Sequence, residues 1–526
     1  MRIIRTHELA PNSVNDPQEK EWIYNGLDCA ITAEILEVIY PQLDETTTAT
    51  YEFSKALQGP ALEMRLRGVL VDNLRKTEVI DEYYNRIDKL ENNLERLVWE
   101  GLGMPEFNWR SPAHLRGLFY DELGIPPIKR GGKPTVSREA LEKLEGYFIA
   151  KPFVMHLIEI RDLAMKIKVL KQEIDPDGRI RTSYNIAGTS TGRFSSSFSE
   201  FGTGGNLQNV EESLRSIFIA DPGFKFAKFD AKSGESYCVG AVEWNLFGDG
   251  RFLDAVESGD VHTAVARLCW PQLSWTNDAV ADRDIANRDF YRHYSYRFMC
   301  KKLGHGSNYG GLPVTLGKQT QLPTKVVAEF QQKYFSAFPS HRRWHSSVDA
   351  RLRRNGFLIS LAGRKRWFLG RRNDPATLRE AIAYDPQSSL ADIVNTAMLN
   401  IWKWTKEHKL DVFVMMQEHD ALTFMYPEKM ERRILPELQR RLIVPIPLNN
   451  DRVLRIPYDC KTGWNKGEYH ATKNPDGLKD WTGSDQRIRT PKVDLLDRII
   501  REKYGAPRMR RDLPEVGGDL DDISYA

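Results

Sequence analysis

The sequence predicts an α+β fold assembled from several subdomains. Three observations carry that expectation. The chain has 526 residues, too many for one ordinary core. The stretch before about residue 174 is dominated by helical periodicities, two of them opened by serine caps. Beyond it, apolar runs with strand-like alternation enter, among them 224–236 and 411–427.

Taken in order, residues 20–40 read as an amphipathic helix ended by Pro41. Residues 76–100 form a long charged helix pattern that stops at Gly101 and Gly103. Segments 111–124 (SPAHLRGLFYDELG) and 137–147 (SREALEKLEGY) each place a serine ahead of an apolar periodicity, with a loop between them. From 174, DPDGRIRTSYN combines a turn with alternation. FKFAKFDAKSGES (224–236) alternates as a half-buried strand that delivers Asp230 at its end. DVFVMMQEHDALTFMYP (411–427) reads as a hairpin with a tight turn at QEHD, where Asp420 sits. After Tyr469 the composition turns polar, with one short helix candidate at 493–505. No internal repeat is present.

Composition narrows the function classes. Apolar residues make up 41% and charged residues 28%, a globular profile. No apolar run reaches the length of a spanning helix, and the N-terminal residues lack the apolar core of a secretory signal. Five scattered cysteines without a C-x-x-C pair argue against a zinc ribbon or disulfide scaffold and for a reducing, cytoplasmic setting. The net charge of +3 is small, but ten basic residues lie between Arg342 and Arg372, with Asp349 the one acid among them. Trp344 and Trp367 interleave, so the band reads as a nucleic-acid footprint.

The densest signal is RFMCKKLGHGSNYGG (297–311). Arg297, Lys301, His305 and Tyr309 recur every four residues, and on a helix each such step drifts by only about 40°. Two cations followed by two rings suit a ligand with a polyphosphate at one end and a base and sugar at the other. Asp230 and Asp420, at the ends of apolar strands, are natural ligands for hard cations such as Mg²⁺. Two aspartates from separate strands could hold a pair of ions about 4 Å apart, as in-line phosphoryl transfer requires.

The stripe resembles motif B of the family A DNA polymerases, R-x3-K-x3-aromatic-x3-YG, with His305 where the family usually has Phe or Tyr. FDAKSGES resembles motif A and QEHDAL resembles motif C, in the family's order. The resemblance implies a right-hand polymerase with an antiparallel palm sheet and helical fingers and thumb. It makes Asp230, Asp420 and the backbone carbonyl of Ala231 the ligands of two Mg²⁺ ions, with Mn²⁺ as a substitute. Asp230, Asp420, Arg297 and Lys301 become the catalytic set. Glu235, His262, Arg297, Lys301, His305 and Tyr309 become the nucleotide pocket. Matching segments assign Arg193 (TSYNIAGTSTGRFSSS), Asn206, Gln208 and Asn209 (NLQN), Arg379 and Gln387 (LREAIAYDPQSSLADI) and His419 to primer–template DNA. The family commonly has Glu after the motif C aspartate, where this chain has Ala421; Glu418 lies close by in sequence.

The expected layout is an exonuclease-like remnant (1–60), thumb with a first palm segment (61–181), palm with motif A (182–261), fingers (262–383), palm with motif C (384–469) and a polar tail (470–526). Divergent spacing and the GHGSNYGG variant resemble phage members, which would place the chain in a host cytoplasm. YNGLD (24–28) resembles the last motif of a proofreading exonuclease, but only 23 residues precede Tyr24, too few for that domain's sheet. The expectation is no intrinsic 3′–5′ proofreading, Tyr24 and Asp28 being relics or docking residues for a separate exonuclease or replisome protein. The implied reaction is template-directed addition of dNTPs to a primer 3′-OH in DNA replication, with no membrane partner. Two alternatives stay open: a single-subunit RNA polymerase, which Glu235 opposes by crowding a 2′-OH, and a catalytically silent primer–template-binding replisome subunit.

Overall fold

Helix α1 (Pro17–Ile39) starts where the Asp16 carboxylate accepts from the Gln18 amide and Pro17 occupies the first turn. The chain is described by a computed structural model over residues 16–483, apart from 105, 200, 201, 277 and 293, together with Arg487. The helix expected at 20–40 is thus present, but it is not amphipathic against a core. None of its residues is buried, and Trp22, Ile35, Leu36 and Val38 face outward. Helices α2 (Glu45–Ala56) and α3 (Gln58–Arg67) follow, α2 opened by a reciprocal Asp44–Thr47 capping box.

After strand β1 (Val69–Val71), Asp72 caps α4 (Asn73–Leu102), and Gly103 ends it in the left-handed region at φ 67°. Ile87, Leu90, Leu94 and Val98 recur on one face and meet α5 (Lys151–Leu170), forming a helical module with its own core. Between them Ser111 caps Pro112–Arg116 as expected, whereas the Ser137 hydroxyl donates to Glu139 instead of capping.

The chain then builds β2 (Arg179–Ile180), β3 (Ser183–Asn185), β4 (Ser195–Ser197), β5 (Phe218–Ile219) and β6 (Phe224–Ala231). Helices α6 (Gly234–Phe247), α7 (Val261–Cys269), α8 (Tyr296–Asn308), α9 (Thr324–Ala337), α10 (Pro339–Asn355) and α11 (Pro375–Glu407) come next. The hairpin β7 (Phe413–Glu418) and β8 (Ala421–Pro427), helix α12 (Glu431–Leu442), and strands β9 (Tyr458–Gly463) and β10 (Lys479–Asp480) close the order.

The main sheet is antiparallel in the order β7-β8-β6-β9-β10. Strand alternation sorts β6: Ala227, Phe229 and Ala231 join the large core, against which α6 and α11 pack, while Lys228 and Asp230 take the opposite face. A Cβ on Gly234 would lie 2.5 Å from Leu390 Cδ1, so the first turn of α6 needs glycine to approach α11. The fifth strand, β10, falls inside the segment expected to be a polar tail, and Leu478 beside it is buried. The helix candidate at 493–505 lies outside the described residues. Among the described residues no helix is long and apolar enough to cross a membrane.

Candidate active site

Strand pairing brings the two aspartates together. Ala421 is the register partner of Asp230, and the Ala231 amide donates to the Asp420 carbonyl at 3.1 Å. His419, at φ 62°, makes the tight turn that places Asp420 beside the end of β6. Burial and the neighbouring Asp420 carboxylate push the Asp230 carboxyl above its ordinary range, against the pull of Lys228 at 3.7 Å. On the other flank Asp459 is the register partner of Asp230 and therefore shares its face. Sequence reasoning passed over Asp459; the alternation of buried Tyr458 and Cys460 around it was the available signal.

Ala421 is buried opposite Asp230. Glu418 shares that face through its pairing with Ala421, but it does not replace the missing glutamate. Its carboxylate accepts from Lys466 Nζ at 2.5 Å and from Thr423 Oγ1 at 3.1 Å in a buried cluster. Burial would raise the Glu418 carboxyl, yet the contact with Lys466 holds it below its usual value.

Helix α8 carries the stripe. Ser295 caps it by accepting from the Phe298 amide at 3.1 Å, and the helix runs through His305 to Asn308, with Tyr309 at its end. The Arg297 guanidinium makes a two-pronged pair with Asp260, Nε at 3.1 Å and Nη2 at 3.1 Å. Asp260 also caps α7 through Thr263. The next residue but one, His262, is pushed down to about 4 by burial and by Arg297 and Lys301, so it is neutral at physiological pH. Lys301 and His305 are exposed.

Glu235, on the first turn of α6, collects the far end of the stripe. It accepts from the Tyr309 hydroxyl at 2.5 Å, pairs with Arg193, and lies 3.8 Å from His305 Nε2. The His305 and Tyr309 rings meet edge-on at 5.0 Å. Burial and the anionic Glu235 push the Tyr309 hydroxyl well up, so it stays a donor. Of the glycines beside His305, Gly306 has a packing reason, since a Cβ there would lie 2.5 Å from Leu316 Cδ2, whereas one on Gly304 would make an ordinary contact with the Tyr334 ring at 3.7 Å.

A cleft of about 450 Å³ adjoins this region. It brings together Arg193, Asn206, Gln208, Asn209, His419 and Asp420, residues far apart in sequence. His419 Nε2 lies 3.4 Å from Asn209 Oδ1. Asn206 caps a short turn and accepts from Ser196 Oγ at 2.6 Å. Gln208 forms the floor: its buried amide donates to Gln417 and to the Phe194 carbonyl. Arg379 is exposed and Gln387 half-buried on α11, and neither lines the cleft. The basic band is partly neutralised within the fold. Arg364 pairs with Asp392 at 2.7 Å, Arg353 with Asp349 at 2.9 Å, and Arg366 with Glu380.

The donor set at Asp230 and Asp420 suits a hard divalent cation, because two carboxylates at adjacent strand ends repel until a cation is shared. Among the described residues no three Asp, Glu, His or Cys side chains converge into a protein cage.

An antiparallel sheet presenting paired aspartates next to a helix striped with arginine, lysine and aromatic rings is the architecture of nucleic-acid polymerases. Residues 77–467 match DNA polymerase family A, and the chain belongs to that family. It is 28% identical over 472 residues to DNA polymerase I of Chloroflexus aurantiacus, covering 82% of this chain and 46% of that protein. It is 26% identical over 468 residues to the thermostable DNA polymerase I of Thermus filiformis, covering 84% and 51%. The chain thus spans about half the length of these curated relatives. Its fold is that of the POL domain of Pol1 from M. smegmatis, solved in complex with DNA primer-template and dNTP, with a TM-score of 0.63 and 23% identity over 78% of this chain and 69% of that one.

Proposed function

We propose that this chain is a template-directed DNA polymerase that adds deoxynucleotides to a primer 3′-OH by two-metal phosphoryl transfer. The observation that carries the reading is the cleft in which Asp420 stands beside Arg193, Asn209 and His419, with Glu235 tying Arg193 to the end of α8. The primer terminus belongs in that cleft and the nucleotide along α8. Arg297 and Lys301 neutralise charge developing on the triphosphate, and neutral His262 donates a hydrogen bond to it. Arg297 keeps its Nη1 edge available while Asp260 holds the Nε edge. Tyr309 packs beside the new pair, and Glu235 crowds the sugar edge where a 2′-OH would lie. Asp230 and Asp420 would hold Mg²⁺, which when bound lowers the pKa of the 3′-OH and stabilises the leaving pyrophosphate.

Primer extension on a templated substrate with dNTPs against NTPs tests the reading. Extension with dNTPs, strongly preferred over NTPs, is expected. A preference for NTPs would move the chain to the RNA polymerases, and binding without extension would make it a scaffold.

A further inference from the structure

A buried polar chain unused by the chemistry above runs between the two elements that meet at the sugar. Glu243, two turns beyond Glu235 on α6, contacts His341 Nδ1. His341 Nε2 lies 3.1 Å from the Tyr334 hydroxyl, which donates to Asn308 Oδ1 at 2.6 Å. Asn308 adjoins Tyr309, whose own hydroxyl donates to Glu235. Glu243, His341, Tyr334 and Asn308 are all at most 3% exposed. The Asn308 carbonyl is gripped as well, by His345 Nε2 at 2.7 Å.

Helices α6 and the C-terminal end of α8 are therefore joined twice. The outer tie, Tyr309 to Glu235, is half-buried at the pocket. The inner tie runs through α9 and α10 in the core. Burying an ionisable pair is costly, and apolar side chains of equal volume would join the helices at least as well. What a fully connected polar chain adds is directional: it admits one separation and one register.

We propose that the Glu243–His341–Tyr334–Asn308 chain is a specificity-determining device that sets the distance between Glu235 and Tyr309, and through it the room beside the nucleotide sugar. The inference rests on the polymerase reading and on the place of Glu235 in it. These four are positioning residues; none touches the nucleotide. Breaking a joint lets the end of α8 drift from α6 and admits the bulkier ribose.

The decisive variant is Tyr334→Phe, which removes the joint hydroxyl with little change in volume; Glu243→Gln, which keeps the shape but removes the charge, is the second. The ratio of kcat/KM for dNTP and NTP is measured in wild type, Tyr334→Phe, Glu243→Gln, Glu235→Ala and Tyr334→Phe/Glu235→Ala, with Tm for each. Loss of one net hydrogen bond predicts a fall in the dNTP preference of about three- to tenfold in Tyr334→Phe. Glu243→Gln should shift it in the same direction, and the double variant should lose little beyond Glu235→Ala alone, because both changes act on one contact. A merely structural role would lower Tm and leave the ratio where it was. If wild type prefers dNTPs and Glu235→Ala relaxes that preference while both core variants keep it, the inference is overturned and the polymerase reading stands. Full additivity in the double variant would overturn it too. A wild type that does not extend with dNTPs removes the polymerase reading and this inference with it.

Discussion

Asp230 carries a conflict that the proposed metal-binding role would explain. Its carboxyl is held above the ordinary range by burial and by Asp420, so at neutral pH its ionised form is a cost to the fold. Asp230→Asn should therefore abolish extension, by 10³-fold or more on the order expected for metal-assisted transfer, while raising rather than lowering Tm in the absence of divalent cation. Asp420→Asn should match it in activity, with primer–template affinity largely kept in both. Extension within about tenfold of wild type in either variant would place the chemistry elsewhere. His262 makes a second residue-scale prediction. Its folded value of about 4 lies below the ordinary 6.5, so as pH falls through that window the unfolded chain takes up a proton that the folded one refuses. Stability should fall as the pH drops from about 6.5 towards 4, with His345, also pushed down to about 4 by burial, adding to the loss. His262→Gln should flatten part of that decline, read as Tm at several pH values; an unchanged curve would mean that His262 is not buried as described.

Among the elements, α6 has the most to satisfy. It begins with Glu235 against Tyr309 and Arg193, carries Glu243 in the core, and packs against both α11 and the helix Arg251–Glu257. Gly240 makes the last contact possible, since a Cβ there would lie 2.8 Å from Leu253 Cα and 2.9 Å from its backbone nitrogen. Backbone cannot rotate aside as a side chain can. Gly240→Ala should thus destabilise the fold although alanine is better in a helix by about 1 kcal/mol, because overpacking costs about 1–3 kcal/mol. A fall in Tm of a few degrees is expected, and a rise would show that the two helices are free to separate.

At the scale of the whole molecule, the sheet is completed from outside the segment that resembles a polymerase. Strand β10 pairs Lys479 with Thr462, the Leu478 amide donates to the Gly467 carbonyl at 2.7 Å, and the Asp476 carbonyl receives the Trp464 amide at 2.8 Å. Residues 474–480 therefore are part of the folded sheet domain, with Asp476, Gly477 and Leu478 buried. Leu478 is 2% exposed, and Leu478→Ala should cost about 2–5 kcal/mol, as for other buried leucines. Denaturant midpoints compare the two proteins; a difference under about 0.5 kcal/mol would return this segment to the status of a tail.

What the sequence determined by itself was local or periodic. The four-residue interval of Arg297, Lys301, His305 and Tyr309 needs only helix geometry to become a stripe, and α8 does run through His305. Alternation and turn chemistry sufficed for β6, the β7–β8 hairpin and the glycine stop of α4, and the family followed from motifs in order. Tertiary structure decided whatever depended on a partner distant in the chain. The basic band looked free in sequence because Asp392 and Glu380, which neutralise Arg364 and Arg366, lie beyond the segment from Arg342 to Arg372. Whether Glu418 stands in for the glutamate that Ala421 replaces was open in sequence, and Lys466, 48 residues on, claims its carboxylate. α1 reads as helical because propensity is local, but whether a face is covered depends on what packs there, and none of it is buried. Asp459 beside Asp230, and the buried chain from Glu243 to Asn308, are products of strand register and helix packing, which arise only when the whole sheet and its covering helices close around one another.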